Sequence, residues 1–175
     1  MFYKNLFFLA LFLISGCGFT PMNQLSHDTK TTVLTEQVAI AGIPNYEGWQ
    51  LRQSLQNKLN PEKNGRPKKY LLIVDLRAPT YTDQSIQGDN FASRETVSIS
   101  ATFTLKNMDT GDIVMKDSTS ATGAYNIVKE PYATNIARNK LKENLVDIIG
   151  NNISLRIISY LKTIEKNRES QTISN

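Results

Sequence analysis

The sequence of 175 residues predicts one α+β domain, built as a single four-stranded, mostly antiparallel sheet with two helices on one face. The strongest observation is an alternation of apolar and hydroxyl side chains from Thr96 to Asn107, which is typical of a half-buried strand. Two stretches with helical apolar spacing, one after Asn45 and one after Pro131, supply the helices. The predicted order is β-α-β-β-β-α, and the sequence contains no repeat and no sign of a second domain.

The first half of the domain, which we place at residues 32–165, contains a strand, a helix and a second strand. Thr32 to Ala41 has apolar residues on one face and predicts the first strand. The helix is predicted to start at Asn45 and to end at Asn60-Pro61, with these residues near one side: Trp49, Leu51, Leu55 and Leu59. Tyr70 to Ala78 is rich in Leu, Ile and Val and predicts the second strand.

The second half begins with a long polar segment, Tyr81 to Glu95, which predicts a connection without regular structure. The alternating strand follows, and Asp109-Thr110-Gly111 has the composition of a hairpin turn that leads into a returning strand, Ile113 to Ser120. After Pro131, apolar residues recur at helical spacing: Ile136, Leu141, Leu145, Ile148, Ile149, Ile153, Ile157 and Leu161. Whether this helix breaks at Gly150 is left open, and residues 166–175 predict a flexible tail.

The N-terminal residues indicate export and lipidation. After Lys4, Leu6 to Ile14 is an unbroken apolar run of nine residues, too short to span a bilayer, which needs about 20. We therefore predict a signal peptide at residues 1–16. The sequence Leu13-Ile14-Ser15-Gly16-Cys17 resembles the lipobox of bacterial lipoproteins, which implies S-diacylglycerol and N-acyl chains on Cys17, followed by a tether over residues 17–31. The alternative is an ordinary signal that ends at Cys17 by chance.

Composition excludes several classes of function. With one Cys and one His, His27 in the tether, the sequence lacks the groups for a catalytic triad or a metal cluster. We therefore expect no enzyme, no metal and no cofactor. Removal of the signal leaves a net charge of +3, too small to indicate nucleic-acid binding.

Several short segments resemble, in order and spacing, the LptE family of lipopolysaccharide-assembly lipoproteins, especially its alphaproteobacterial type. Each segment is weak alone, but together they cover nearly all of the chain after the signal peptide: Gly16-Cys17-Gly18-Phe19-Thr20-Pro21, Trp49-Gln50-Leu51-Arg52-Gln53-Ser54-Leu55, Pro67-Lys68-Lys69-Tyr70-Leu71-Leu72, Arg94, Ala124-Tyr125-Asn126 and Pro131-Tyr132-Ala133.

The resemblance implies a role and not a reaction. Such lipoproteins plug the lumen of the LptD β-barrel in a one-to-one complex, help the barrel to assemble, and help lipopolysaccharide to reach the outer leaflet. The implied location is the outer membrane, by a lipid anchor on the periplasmic side, and Gly18 after the lipidated cysteine fits that sorting. The alternative is a lipoprotein that escorts another envelope complex, such as a secretin or a cell-wall assembly.

Family members bind lipopolysaccharide through basic side chains, which suit its phosphates. The candidates in this sequence are Arg94, Lys68, Lys69, Arg66 and Lys63, of which Arg94 comes first because it stands where a strand begins beside a long loop. Basic residues that only keep the surface soluble are the alternative. The hydroxyl row of Ser98, Ser100, Thr102 and Thr104 is predicted to face either a polar barrel lumen or solvent.

Overall fold

The computed structural model describes residues 33–61, 65–86 and 92–173, which form one sheet with helices on one side. The predicted signal peptide, Cys17 and the tether lie outside these residues. The described elements are, in chain order, β1 (Val38–Ile40), α1 (Asn45–Leu59), β2 (Tyr70–Leu76), β3 (Thr80–Ile86), β4 (Ala92–Asn107), β5 (Ile113–Asn126) and α2 (Pro131–Ile173).

The 16-residue strand β4 organises the sheet, because β5 pairs along one of its sides while β2 and β3 lie end to end along the other. These pairings are all antiparallel, and only the short β1 runs parallel to its neighbour β2. Leu76 stands opposite Ala101 but Thr80 stands opposite Ser98, so the register shifts by one residue between β2 and β3. One extra residue is therefore accommodated within residues 77–79, as in a β-bulge.

The sheet has five strands, so the prediction of four is corrected. The missed strand is β3, which lies in the segment predicted to be an irregular connection, and β4 also starts earlier than predicted. The segment is polar because β3 is an edge strand with exposed side chains, such as Thr82 and Asp83, and edge strands need no apolar alternation. The first strand is also shorter than predicted, since residues 33–35 are helical and β1 has three residues.

The core lies between the sheet and the two helices. The predicted alternation in β4 is confirmed, because its apolar side chains are at most 1% exposed: Val97, Ile99, Ala101, Phe103 and Leu105. They pack in one cluster with Leu51, Leu55 and Leu59 of α1 and with α2 residues that include Leu145, Ile149, Ile153 and Ile157. Three of the apolar residues that predicted the helices lie in those helices but outside the core, because Trp49, Ile136 and Ile148 are 54%, 52% and 45% exposed.

The helix α2 does not break at Gly150. A Cβ atom there would lie 2.8 Å from Oγ of Ser54 and 3.4 Å from Cδ1 of Leu51, so glycine allows α2 to approach α1 closely. Beside this contact the carboxylate of Asp147 accepts hydrogen bonds from Lys58 (2.8 Å) and Ser54 (2.7 Å), which lower its pKa. Residues 166–173, predicted as part of a flexible tail, continue α2.

Within the described ranges, no helix combines the length and apolarity that crossing a membrane requires.

A substitution of Gly150→Val should lower the free energy of unfolding by about 1–3 kcal/mol, because the added methyl groups overpack the contact with α1. Asn151→Val is the matched control on the exposed side of the same helix and should change it by less than about 0.5 kcal/mol. Urea denaturation of both variants checks this prediction, and equal losses of stability would contradict the close packing at Gly150.

Candidate functional site

The face of the sheet opposite the helices carries a ladder of hydroxyl groups. Ser98, Ser100 and Thr102 of β4 stand opposite Thr122, Ser120 and Ser118 of β5, and the hydroxyls of Ser98 and Thr122 are 2.7 Å apart. Thr80 and Thr82 extend the ladder onto β3. In the described part of the chain the helices cover only the other face. This surface offers many hydrogen-bond donors and acceptors to water, to sugar hydroxyls or to a polar wall.

A cleft of about 480 Å³ is lined by residues of both sheet faces. Ser100, Thr102, Ser118 and Ser120 belong to the hydroxyl ladder, and Arg77 follows β2. Ala101, Thr119, Asn152 and Arg156 line it from the helix side. Arg156 of α2 donates to the Asp117 carboxylate (2.5 Å) and to the Ser118 carbonyl (2.7 Å). Arg77 follows β2 at the register shift and makes no ion pair with any described residue. Guanidinium and hydroxyl groups in one cleft are suited to phosphate or sugar ligands.

Sequence reasoning missed both arginines of the cleft. Arg77 stands directly after the dense apolar run of β2. Arg156 lies within the part of α2, from Leu145 to Leu161, that contributes buried apolar residues to the core. A basic residue inside an apolar helical period is a usable signal, but only the fold shows that Arg156 reaches β5. The main influence on the pKa of Asp117 is the Ser118 backbone N–H, which lowers it, and Arg156 adds to that effect.

Three of the predicted basic residues, Arg66, Lys68 and Lys69, lie together just before the start of β2. Arg66 Nε is 2.9 Å from Oε2 of Glu36, whose side chain is 2% exposed. Lys68 Nζ donates to the Glu36 carbonyl (2.5 Å) and to Oδ1 of Asn60 (3.0 Å). Two of these cations therefore hold the chain around a buried carboxylate, and Lys69 is exposed beside them. Lys63 lies outside the described residues.

Arg94 lies at the opposite end of the sheet. It is exposed near the start of β4, whereas Lys69 adjoins Tyr70, which pairs with Asn107 at the other end of that strand. At about 3.3 Å per residue the two positions are about 40 Å apart along β4. The structure thus does not bring the predicted cations together into one site, and Arg77 lies between them.

A polar cluster joins the start of α2 to the start of β4. The Tyr125 hydroxyl donates to the Glu95 carboxylate and accepts from Arg138 Nε at 2.5 Å. The Arg138 guanidinium carbon also lies 5.8 Å from the Tyr81 ring centre and 5.6 Å from the Tyr125 ring centre, within cation–π range. Tyr125 was part of a sequence segment that resembles relatives, but its partners are far away in sequence and only the fold identifies them.

The described residues contain no group of three or more His, Cys, Asp and Glu side chains that would hold a metal ion.

The fold is shared with proteins named as lipoproteins. A candidate lipoprotein from Caulobacter crescentus superimposes with a TM-score of 0.61 at 18% identity, over 76% of this chain and 96% of that one. Lipoprotein B from Nitrosomonas europaea, described as uncharacterized, superimposes with a TM-score of 0.54 at 6% identity, over 71% of this chain and 82% of that one. These likenesses establish the fold. No protein-family model and no curated protein matches the sequence.

Replacing Tyr125 by Phe should lower the free energy of unfolding by about 0.5–1.5 kcal/mol, because the partly buried carboxylate and guanidinium lose the hydroxyl that joins them. Tyr132→Phe is the control, since Tyr132 is 73% exposed on the same helix. Chemical denaturation of both variants measures the effect, and a loss no larger than that of Tyr132→Phe would show that the cluster adds no stability.

The same pair of variants tests a pH dependence. Burial, followed by the hydrogen bond to Glu95, raises the pKa of the Tyr125 phenol. A group whose pKa is raised on folding stabilises the protein fully below its unfolded value, about 10 for tyrosine, and this stability is lost as the pH rises through the folded value. Above about pH 10 stability should therefore fall less steeply in Tyr125→Phe than in Tyr132→Phe. Parallel alkaline titrations would contradict this assignment.

Proposed function

We propose that this protein is an outer-membrane lipoprotein of the LptE type, anchored by lipid on Cys17. In this proposal it plugs the lumen of the LptD β-barrel, helps that barrel to assemble, and helps to deliver lipopolysaccharide to the outer leaflet. The observation that carries the proposal is the asymmetry of the sheet, with one face buried under two helices and the other face open and lined with hydroxyl groups.

An open hydroxyl face suits a polar barrel interior. The lumen of a large outer-membrane barrel is polar and contains water, so a plug needs a surface that forms hydrogen bonds without a large apolar patch. The ladder from Thr82 through Ser98 to Thr122 has this chemistry. A sheet face that contacts only solvent has a similar composition, and the partner therefore has to be identified directly.

The anchor rests on the sequence and is supported by the fold. The lipobox-like segment ending at Cys17 predicts lipidation, and the fold occurs in two proteins named as lipoproteins. Since acyl chains contribute about 0.8 kcal/mol per buried CH₂, several chains give a lasting hold on one leaflet. We propose no enzymatic activity, because the one Cys and the one His both precede the domain.

Affinity purification from solubilised outer membranes tests the partner. We expect a large β-barrel to be recovered in near one-to-one amount with the tagged full chain, and mass spectrometry should find acyl chains on Cys17. Recovery of a secretin ring or a cell-wall assembly complex would instead favour the escort role. Depletion in cells provides the functional readout, since surface lipopolysaccharide should fall as the protein disappears, and unchanged export would exclude the proposal.

Binding of purified lipopolysaccharide tests the basic residues one at a time. The variants Arg94→Ala, Lys69→Ala and Arg77→Ala each remove an exposed or unpaired charge. If the replaced residue contacts a phosphate, its loss should weaken binding by about 10-fold. Lys140→Ala removes the same charge from an exposed position whose described partner is Glu143, and it should leave the affinity unchanged. Unchanged affinity at low salt would remove a residue from the site. Lys68→Ala needs a stability measurement beside it, because Lys68 also holds Glu36 and Asn60.

A further inference from the structure

The described chain begins at one end of the molecule, where several exposed segments meet. This basal end is formed by residues 65–70, by the turn at residues 107–113 and by α2 from Leu155 onward. The contacts that unite it are specific: the Lys68 ammonium binds the Glu36 carbonyl, and the Met108 N–H donates to the Lys69 carbonyl at 2.8 Å. Asn152 contacts Thr119 and Arg156 contacts Asp117, which stand opposite Ala101 and Phe103, so α2 continues past Arg156 towards the same end.

The basal end exposes apolar side chains beside lysines. Met108 and Ile113 are 52% and 59% exposed at the turn between β4 and β5. On α2 a groove of about 230 Å³ is lined by Leu155, Ile158, Ser159, Lys162, Thr163 and Lys166. Among the described residues neither Lys162 nor Lys166 pairs with a carboxylate, whereas Glu165 is paired with Arg168. The groove therefore combines an apolar floor with two available ammonium groups.

We propose that the basal end rests on the surface of an anionic lipid bilayer, with Lys162 and Lys166 on lipid phosphates and the apolar side chains among the headgroups. The inference rests on the proposed lipid anchor at Cys17. Lysines and apolar side chains on one surface of a helix are the combination that binds interfaces of this kind. Asp109 and Asp112 in the nearby turn oppose an anionic surface, so the attraction comes from α2.

The point at which the chain enters the domain favours the same end. Glu36, three residues after the first described residue, contacts Lys68, and Val38 stands opposite Tyr70. Sixteen residues, 17–32, separate the proposed anchor from the described chain, so the tether joins the domain at the basal end.

Depth measurements on the lipidated full chain test this orientation. A nitrobenzoxadiazole label is placed on Thr163→Cys in the groove or on Asn139→Cys, an exposed position about 36 Å away on the same helix. The protein is reconstituted into phosphatidylethanolamine vesicles with or without phosphatidylglycerol, with brominated lipids as quenchers. We expect strong quenching at position 163 in vesicles that contain phosphatidylglycerol, and little quenching at position 139.

Charge variants identify the cause of the docking. Lys162→Gln with Lys166→Gln should reduce the ratio of docked to undocked protein about 5-fold for each lysine, and high salt should act in the same direction. Lys129→Gln with Lys140→Gln removes the same charge near the other end and should have no effect. Equal quenching at positions 163 and 139, quenching that ignores lipid charge, or an unchanged response in the Lys162 and Lys166 variant would each overturn the proposal.

A control with the full chain that carries no introduced cysteine distinguishes failure of this inference from failure of the proposed function. An acylated Cys17 cannot react with the label, so labelling of the chain without an introduced cysteine would show that the anchor itself is absent. A label at position 163 that is shielded equally in the absence of vesicles would mean that a segment of the protein covers the groove. That result would overturn the docking and leave the anchor in place.

Discussion

The burial of one sheet face by the two helices is the constraint on which the rest of the structure depends. Sheet and helices form only two layers, so the apolar side chains of β4 have to find their partners on α1 and α2. Two glycines make the layers fit: a Cβ at Gly123 would lie 2.6 Å from Cδ1 of Leu141, and Gly150 lies against Ser54. Larger side chains at either position would push α2 away from β5 or from α1.

Polar contacts stabilise this two-layer structure at both ends of the sheet. Glu95, Tyr125 and Arg138 join sheet and helix near the start of β4, while Arg66 and Lys68 surround the buried Glu36 at the other end. Arg156 binds a backbone carbonyl of β5, an outer strand whose free edge would otherwise be open to other strands. Arg66 and Lys68, two of the cations predicted to bind lipopolysaccharide, therefore also hold the fold together.

The predictability of each element followed from how much of it is buried. The alternation of β4 and the buried leucines of α1 were predictable, because a half-buried strand and an amphipathic helix each leave a periodic signal. The strand β3 left none, because its side chains at residues 80–83 are exposed and its hydrogen bonds come from β4. The hydroxyl row of Ser98 to Thr104 was predictable as a polar face, since it follows from the same alternation. The cleft was not, because Arg77 and Arg156 are separated by 79 positions and only the packing of α2 against β5 brings them together.

The register shift between β2 and β3 decides which face of the sheet each β3 side chain occupies. With the extra residue in place, Tyr81 stands opposite Val97 and its ring points towards Arg138, while Thr80 and Thr82 point to the open face. Loss of one residue from 77–79 would remove the extra residue and leave both sets on their present faces, because three residues here stand against only two of β4. Loss of two residues, with continuous pairing, would exchange the sets, because side chains along a strand alternate between faces. A phenol ring would then stand among the hydroxyls and threonines would enter the apolar layer. This short, exposed segment therefore accepts one deletion but not two.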